Sequence, residues 1–213
     1  MGYGQIWDAN RCLLRGLLEH MGCEAQECGI LRDKPHDMEA ALSAAAHDCG
    51  LLVTSGGVSM GREDHVRSII GRRGTLDIWP VAIKPGRPVG LGDIDTCPIL
   101  ALPGNPIAAV VAFAAVGRFV VNVLSGAVDA APAQLSLPAG FEFEKKTGVR
   151  QFLLAELRQG DGAVTVAAPC ERQGTAMLST LGATSGFIVL AEDRSLVRHG
   201  SPVEFLPMSA LLN

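Results

Sequence analysis

The sequence predicts an α/β domain over residues 1–126, a three-layer arrangement around a mostly parallel sheet, followed by a small mainly-β domain over 127–213. Three observations carry this expectation. Short apolar runs alternate with helical stripes at strand–helix spacing, which implies an open parallel sheet with helices on both faces. One run, Gly50-Leu51-Leu52-Val53, breaks into Thr54-Ser55-Gly56-Gly57-Val58-Ser59-Met60-Gly61-Arg62-Glu63-Asp64, the pattern of a buried strand emptying into an anion-binding loop. After Gly126 the texture changes to a small-residue linker, 127–133, and then to short alternating runs divided by glycine turns.

In chain order, Asp8 precedes a helical stripe of Leu13, Leu14, Leu17, Leu18 and Met21 that stops at Gly22. Residues 23–30 read as a strand. Asp33-Lys34-Pro35 starts a second helix that runs to about His47, with proline near its first turn. After the glycine loop, Val66, Ile69 and Ile70 mark a third helix. Residues 76–83 and 99–102 read as strands, each delivering a proline-bounded turn, Lys84-Pro85-Gly86-Arg87-Pro88 and Pro103-Gly104-Asn105-Pro106. The apolar segment 107–124 then reads as a buried helix, because Arg118 interrupts it and its length is marginal for a membrane span. In the second domain 151–158 and 163–168 flank Gln159-Gly160-Asp161-Gly162 as a hairpin, 187–190 and 203–206 are further strands, and 176–181 is a short helix.

Charge excludes one class of partner. Lys plus Arg against Asp plus Glu is 11 to 13 over residues 1–126 and 7 to 9 over the remainder, so neither part is a basic nucleic-acid binder. The six cysteines form no CxxC pair, which favours a reducing compartment. With no basic stretch leading an apolar signal core and no lipidation pattern, the expectation is a cytoplasmic protein without a membrane anchor.

Three loops at strand ends share one edge of such a sheet, where ligands bind. The glycines of the first can turn consecutive N–H groups toward an anion, with the hydroxyls of Ser55 and Ser59 as further donors. Lys84 and Arg87 are counter-charges for an oxyanion, unless they are simply a solvated turn. Asn105 either reads a ligand edge or caps a helix. Asp8, Asp33 and Asp64 each stand at a helix entrance; singly each reads as a cap, and together they suit Mg²⁺ beside a pyrophosphate. Other templates fail, since GxxxxGK[ST] and GxSxG are absent and Gly90-Leu91-Gly92-Asp93 lacks a third glycine.

The motifs Gln5-Ile6-Trp7-Asp8-Ala9-Asn10-Arg11, Gly29-Ile30-Leu31-Arg32-Asp33, Ser55-Gly56-Gly57-Val58-Ser59-Met60-Gly61 with Asp64, Lys84-Pro85-Gly86-Arg87-Pro88 and Leu102-Pro103-Gly104-Asn105-Pro106 occur in that order. Together they resemble the molybdopterin molybdenumtransferase family, to which the C-terminal part of gephyrin belongs. Arg150-Gln151-Phe152 and Gly174-Thr175-Ala176-Met177-Leu178 resemble that family's C-terminal β domain. The resemblance implies insertion of molybdenum from molybdate into adenylylated molybdopterin, with release of AMP in a Mg²⁺-dependent step. It implies Asp8, Asp33 and Asp64 as catalytic and metal-binding carboxylates. It implies Asn10, Ser55, Gly56, Gly57, Ser59, Gly61, Lys84, Pro85, Gly86, Arg87, Pro88, Pro103, Gly104, Asn105 and Pro106 as the substrate-binding set.

The same resemblance implies a homodimer and nominates a molybdopterin adenylyltransferase or a molybdoenzyme as partner. Family members normally carry two domains upstream and open this domain with a strand and a Gly-Asp-Glu loop, so a central strand and a functional glutamate are expected to be missing here. Ala108 stands where a serine often follows the Asn-Pro motif. The rival readings are a non-catalytic pterin-binding or scaffold fragment, and an adenylyltransferase-like enzyme, whose glycine loop would differ.

Overall fold

Asp8 opens the first helix, α1 (Ala9–His20), its Oδ1 accepting the Arg11 backbone N–H at 3.2 Å, while Leu14 and Leu17 face inward. The computed structural model describes residues 8–30, 35–56, 65–127, 131–174, 178–182 and 184–212. The helix closes on two bonds, Cys23 N–H to Leu18 O at 3.1 Å and Gly22 N–H to Glu19 O at 3.0 Å, with Gly22 at φ +80°. That left-handed residue is what lets the chain leave the helix with its last carbonyls satisfied.

The expected strand over 23–30 is not one, because no other strand lies beside it among the described residues. The segment is held instead by Glu27, which bridges Arg11 at 3.2 Å and Arg15 at 3.1 Å. Next come α2 (Pro35–Asp48), β1 (Leu52–Ser55), α3 (His65–Arg73) and β2 (Gly74–Trp79). The predicted strand 76–83 is broken in two. Pro80 has no N–H to extend the ladder, so β2 ends at Trp79, and β3 (Ile83–Lys84) pairs elsewhere.

Two more strands, β4 (Val89–Ile94) and β5 (Cys97–Leu102), complete a four-stranded sheet in the order β1-β5-β4-β2. The α/β class holds, but the pairing within the described sheet is not mostly parallel. Only β1–β5 is parallel; β5–β4 and β4–β2 are antiparallel. The cause is local. Asp95 (φ +48°) and Thr96 (φ +70°) both take left-handed angles, the geometry of a two-residue hairpin turn that folds β5 straight back along β4. One face of this sheet packs Leu52, Ile94 and Ile99 against Met38, Leu42, Ile69 and Ile70 of α2 and α3.

After β5 the chain runs through α4 (Pro106–Ala112), one π-helical turn (Phe113–Gly117) and α5 (Arg118–Ser125). Gly117 is required there, since a Cβ would lie 2.6 Å from Phe113 Cδ2 and 3.2 Å from Leu100 Cδ2. By length and composition Pro106–Ser125 could cross a membrane, but 56% of that window is buried inside the protein, as expected of a core helix. Gly126, at φ +70°, ends it.

The chain divides into two compact units, Met1–Val81 with Gly86–Asp129, and Ala82–Pro85 with Ala130–Asn213. The second contains β6 (Leu135–Pro138), β7 (Phe143–Glu144), β8 (Arg150–Gln159), β9 (Thr165–Pro169), α6 (Leu178–Gly182), β10 (Gly186–Leu190), β11 (Leu196–Val197), β12 (Pro202–Pro207) and α7 (Met208–Leu212). Its main sheet has the order β3-β8-β10-β12-β6, with β9 on β8. The predicted hairpin is β8–β9, closed by Gly160 N–H to Val164 O at 2.8 Å with Gly162 and Ala163 left-handed. Leu153, Ala155, Ile188, Leu190, Val203 and Phe205 form its core.

Candidate functional site

Because β1 and β5 are parallel neighbours, with Ser55 paired to Leu102, their carboxyl ends open side by side. Gly56 N–H donates to Leu102 O at 3.0 Å, and Gly56, at φ +86°, turns its chain so that a Cβ on it would stand only 3.8 Å from Gly104 Cα. The contact between these two loops is glycine on glycine.

Asn10 ties them to the start of α1. Its Nδ2 donates to Ser55 Oγ at 2.6 Å and to Gly104 O at 2.8 Å, and Ser55 Oγ in turn donates to Pro103 O at 3.0 Å. Asn10 is only 7% exposed, and its Oδ1 is buried with no hydrogen-bond partner among the described residues. Three segments far apart in sequence thus meet on one side chain. A groove of about 1090 Å³ runs along the open edge of β1, reaching Asp8, Arg11, Thr54, Ser55 and Gly56 and walled by α1, α2 and α5. Thr54 Oγ1 also lies buried there without a partner among the described residues.

Several expected site residues take definite places. Asp8 is the N-cap of α1 and pairs with Arg11 Nε at 3.6 Å. Ser55 spends its single O–H on Pro103 O, so it holds the scaffold and is not an anion donor in this arrangement. Asn105 precedes α4 with extended backbone and Pro106 at the first helical position, but its side chain makes no capping bond. Lys84 and Pro85 belong to the second unit, with Lys84 opposite Gln151 on β8, whereas Gly86, Arg87 and Pro88 belong to the first. The Lys84-Pro85 and Arg87-Pro88 peptide bonds are both cis. Asp33, Gly57, Ser59, Gly61 and Asp64 lie outside the described residues.

Among the described residues no three His, Cys, Asp or Glu side chains gather as a metal site. Asp8 alone of the three expected carboxylates is described, and it is engaged as a cap. The described donors therefore do not by themselves fit a Mg²⁺ ion, and no step is routed through one.

Residues 1–122 match a family model described as "Probable molybdopterin binding domain". The chain belongs to the molybdopterin-binding domain family. Residues 136–208 match the MoeA C-terminal region, domain IV. Among the relatives of this chain, the molybdopterin molybdenumtransferase of Haemophilus influenzae is 31% identical over 98% of this chain and 52% of its own length. Molybdopterin molybdenumtransferase 2 of Mycobacterium tuberculosis is 29% identical over 94% of this chain and 50% of its own. A solved molybdopterin biosynthesis MoeA protein from Pyrococcus horikoshii superposes with a TM-score of 0.76 at 25% identity, covering 97% of this chain and 49% of the other. The chain thus spans about half the length of the curated relatives it matches.

Sequence reasoning named Asn10 and Ser55 separately and missed that they bond each other. The signal that would have linked them is weak, a polar residue two positions after a helix cap and a serine closing an apolar strand.

Proposed function

We propose that this chain acts in molybdenum cofactor biosynthesis, as the molybdopterin-binding half of an enzyme that inserts molybdenum from molybdate into adenylylated molybdopterin and releases AMP. The observation that carries this reading is the knot of Asn10, Ser55 and Gly104, which fixes the carboxyl ends of β1 and β5 side by side, the place where such sheets bind ligands. Strand ends held in this way let a phosphate-bearing ligand bind with little reorganisation, because Ser55 and Gly104 are already fixed by Asn10. In this reading the glycine loop 56–61 supplies backbone donors to the pyrophosphate, Arg87 draws in oxyanions, and Asp33 and Asp64 supply the acidic groups of the cleavage step. The relatives' names and the ordered motifs support the substrate class.

A homodimer belongs to the same reading. It is supported by Phe119 and Val123, two large apolar side chains exposed on α5. A cytoplasmic setting, and an adenylyltransferase or molybdoenzyme as partner, complete it.

The test is AMP release from adenylylated molybdopterin by the purified chain, with and without molybdate and Mg²⁺, run beside Asp64→Asn. Molybdate-dependent release that Asp64→Asn abolishes is the expected result. Tight binding without release would make the chain a pterin-binding module, and absence of binding would overturn the site.

A further inference from the structure

Two thiols face each other at the end of β1 away from Ser55 and Gly56. Cys49, between α2 and β1, and Cys97, the first residue of β5, bring their Sγ atoms to 3.7 Å, and Cys97 Sγ also lies 3.3 Å from Cys49 O. Both pack in the cluster formed by Met38, Leu42, Leu52 and Ile99, so the pair cannot drift apart while the domain is folded. Their environments differ in one useful respect. Cys97 is 5% exposed, whereas Cys49 is partly exposed and lines the groove beside β1, so a small oxidant meets Cys49 first.

We infer that Cys49 and Cys97 are a redox pair that closes to a disulfide on exposure to a peroxide, stapling the entry ends of the two strands that carry the site. The Cys49 thiolate attacks one peroxide oxygen, breaking the O–O bond and giving the sulfenic acid and water once the proton is supplied. The Cys97 sulfur then attacks Cys49 Sγ and expels a second water. Across both steps the two thiols lose two protons and two electrons, and hydrogen peroxide accepts them to become two waters.

The resting pair stays reduced. Burial, then the contact with Cys97, pushes the Cys49 thiol up to about 11, so the thiolate is scarce near neutral pH and closure is slow. The bond forms at the end of the parallel β1–β5 pair opposite Ser55 and Leu102, since Leu52 is paired with Ile99 in the same register. It therefore leaves the loops of the site in place. By closing a long loop it restricts the unfolded chain, and the thermal midpoint is expected to rise by roughly 5 °C or more.

The test treats the full chain with hydrogen peroxide, alkylates remaining thiols, and maps the digest by mass spectrometry. The expected product is one cross-linked peptide joining Cys49 to Cys97, with a raised thermal midpoint that dithiothreitol reverses and that Cys49→Ser lacks. Recovery of both residues singly alkylated or over-oxidised overturns the inference, as does a cross-link from either one to another cysteine. A midpoint shift that survives in Cys49→Ser overturns it as well. The peptide map of the unsubstituted chain decides the pairing even if the variant folds poorly.

Discussion

Asn10 Nδ2 stands 2.6 Å from Ser55 Oγ, joining the first turn of α1 to the end of β1 across 45 positions of sequence. The same nitrogen reaches Gly104 O, so one amide group serves two acceptors. Asn10→Ala should therefore cost about 1–3 kcal/mol of stability, two hydrogen bonds being lost at a buried position. Asn10→Asp should cost more at neutral pH, since a carboxylate has no donor for the Gly104 carbonyl and its charge would be buried. Urea unfolding at pH 7 checks the order. If Asn10→Asp were as stable as the unsubstituted chain, the donor role of Nδ2 would be refuted.

Thr96 sits exposed at φ +70° in the two-residue turn between β4 and β5, a conformation that β-branched residues resist. Thr96→Gly relieves that strain and makes the turn Asp-Gly, a favoured hairpin pair. Some of the gain is returned through the larger entropy of an unfolded glycine. With roughly 1–2 kcal/mol of left-handed strain relieved and roughly 0.5–1 kcal/mol returned as chain entropy, the expected net change is a stabilisation of about 0.5–1 kcal/mol, read as a higher urea midpoint with an unchanged slope. A lower midpoint would mean that the turn draws support from Thr96 itself.

The elements that could be read from sequence are those whose signals are local. α1 announced both ends, through Asp8 and Gly22, and the β8–β9 hairpin announced its turn through Gly160 and Gly162. What could not be read depended on partners distant in sequence. β4 carries Gly90, Gly92 and Asp93, which break the apolar pattern of a strand, yet Gly90 is where Leu76 Cδ1 approaches to 3.1 Å of a Cβ position. Pro98 lies inside β5 against Asp93, a placement that propensity argues against. Residues 23–30 alternate apolar and polar only over 23–26, and a strand needs a partner as well as a pattern. Within the site, the sequence marked which residues matter and left their hydrogen bonds unknown, because Asn10, Ser55 and Gly104 meet only once β1 and β5 are side by side.

Gly117 tests the packing of the long helix. A methyl group there would press on Phe113 at 2.6 Å, and Phe113 is only 1% exposed, with little room to move. Although alanine favours helix more than glycine, overpacking should win and Gly117→Ala should destabilise by about 1–3 kcal/mol. Pairing it with Phe113→Leu, which vacates the space, should recover part of that loss. Simple additivity of the two in a double-mutant cycle would show that the two positions do not press on each other.

Arg73 and Asp95 make the last prediction, which concerns pH. The Asp95 carboxylate accepts from Arg73 Nε at 3.0 and 2.9 Å and from Ser43 Oγ at 2.7 Å. Arg73 first, and then Ser43, hold its pKa below the usual carboxylate value. A carboxylate depressed in the folded state adds stability that is complete above its unfolded value, near 3.8, and is lost as pH falls through the lower folded value. Glu39, held down by Arg72, changes in the same sense, so acid weakens the domain at both pairs. Asp95→Asn removes one of them. Its urea midpoint should lie below that of the unsubstituted chain at pH 7, and the gap should begin to close near pH 4, where the unfolded carboxylate takes up its proton, and be gone once pH has fallen through the lower value of folded Asp95. A gap that stays constant down to pH 2 would show that the charge on Asp95 contributes nothing and that only its hydrogen-bond geometry matters.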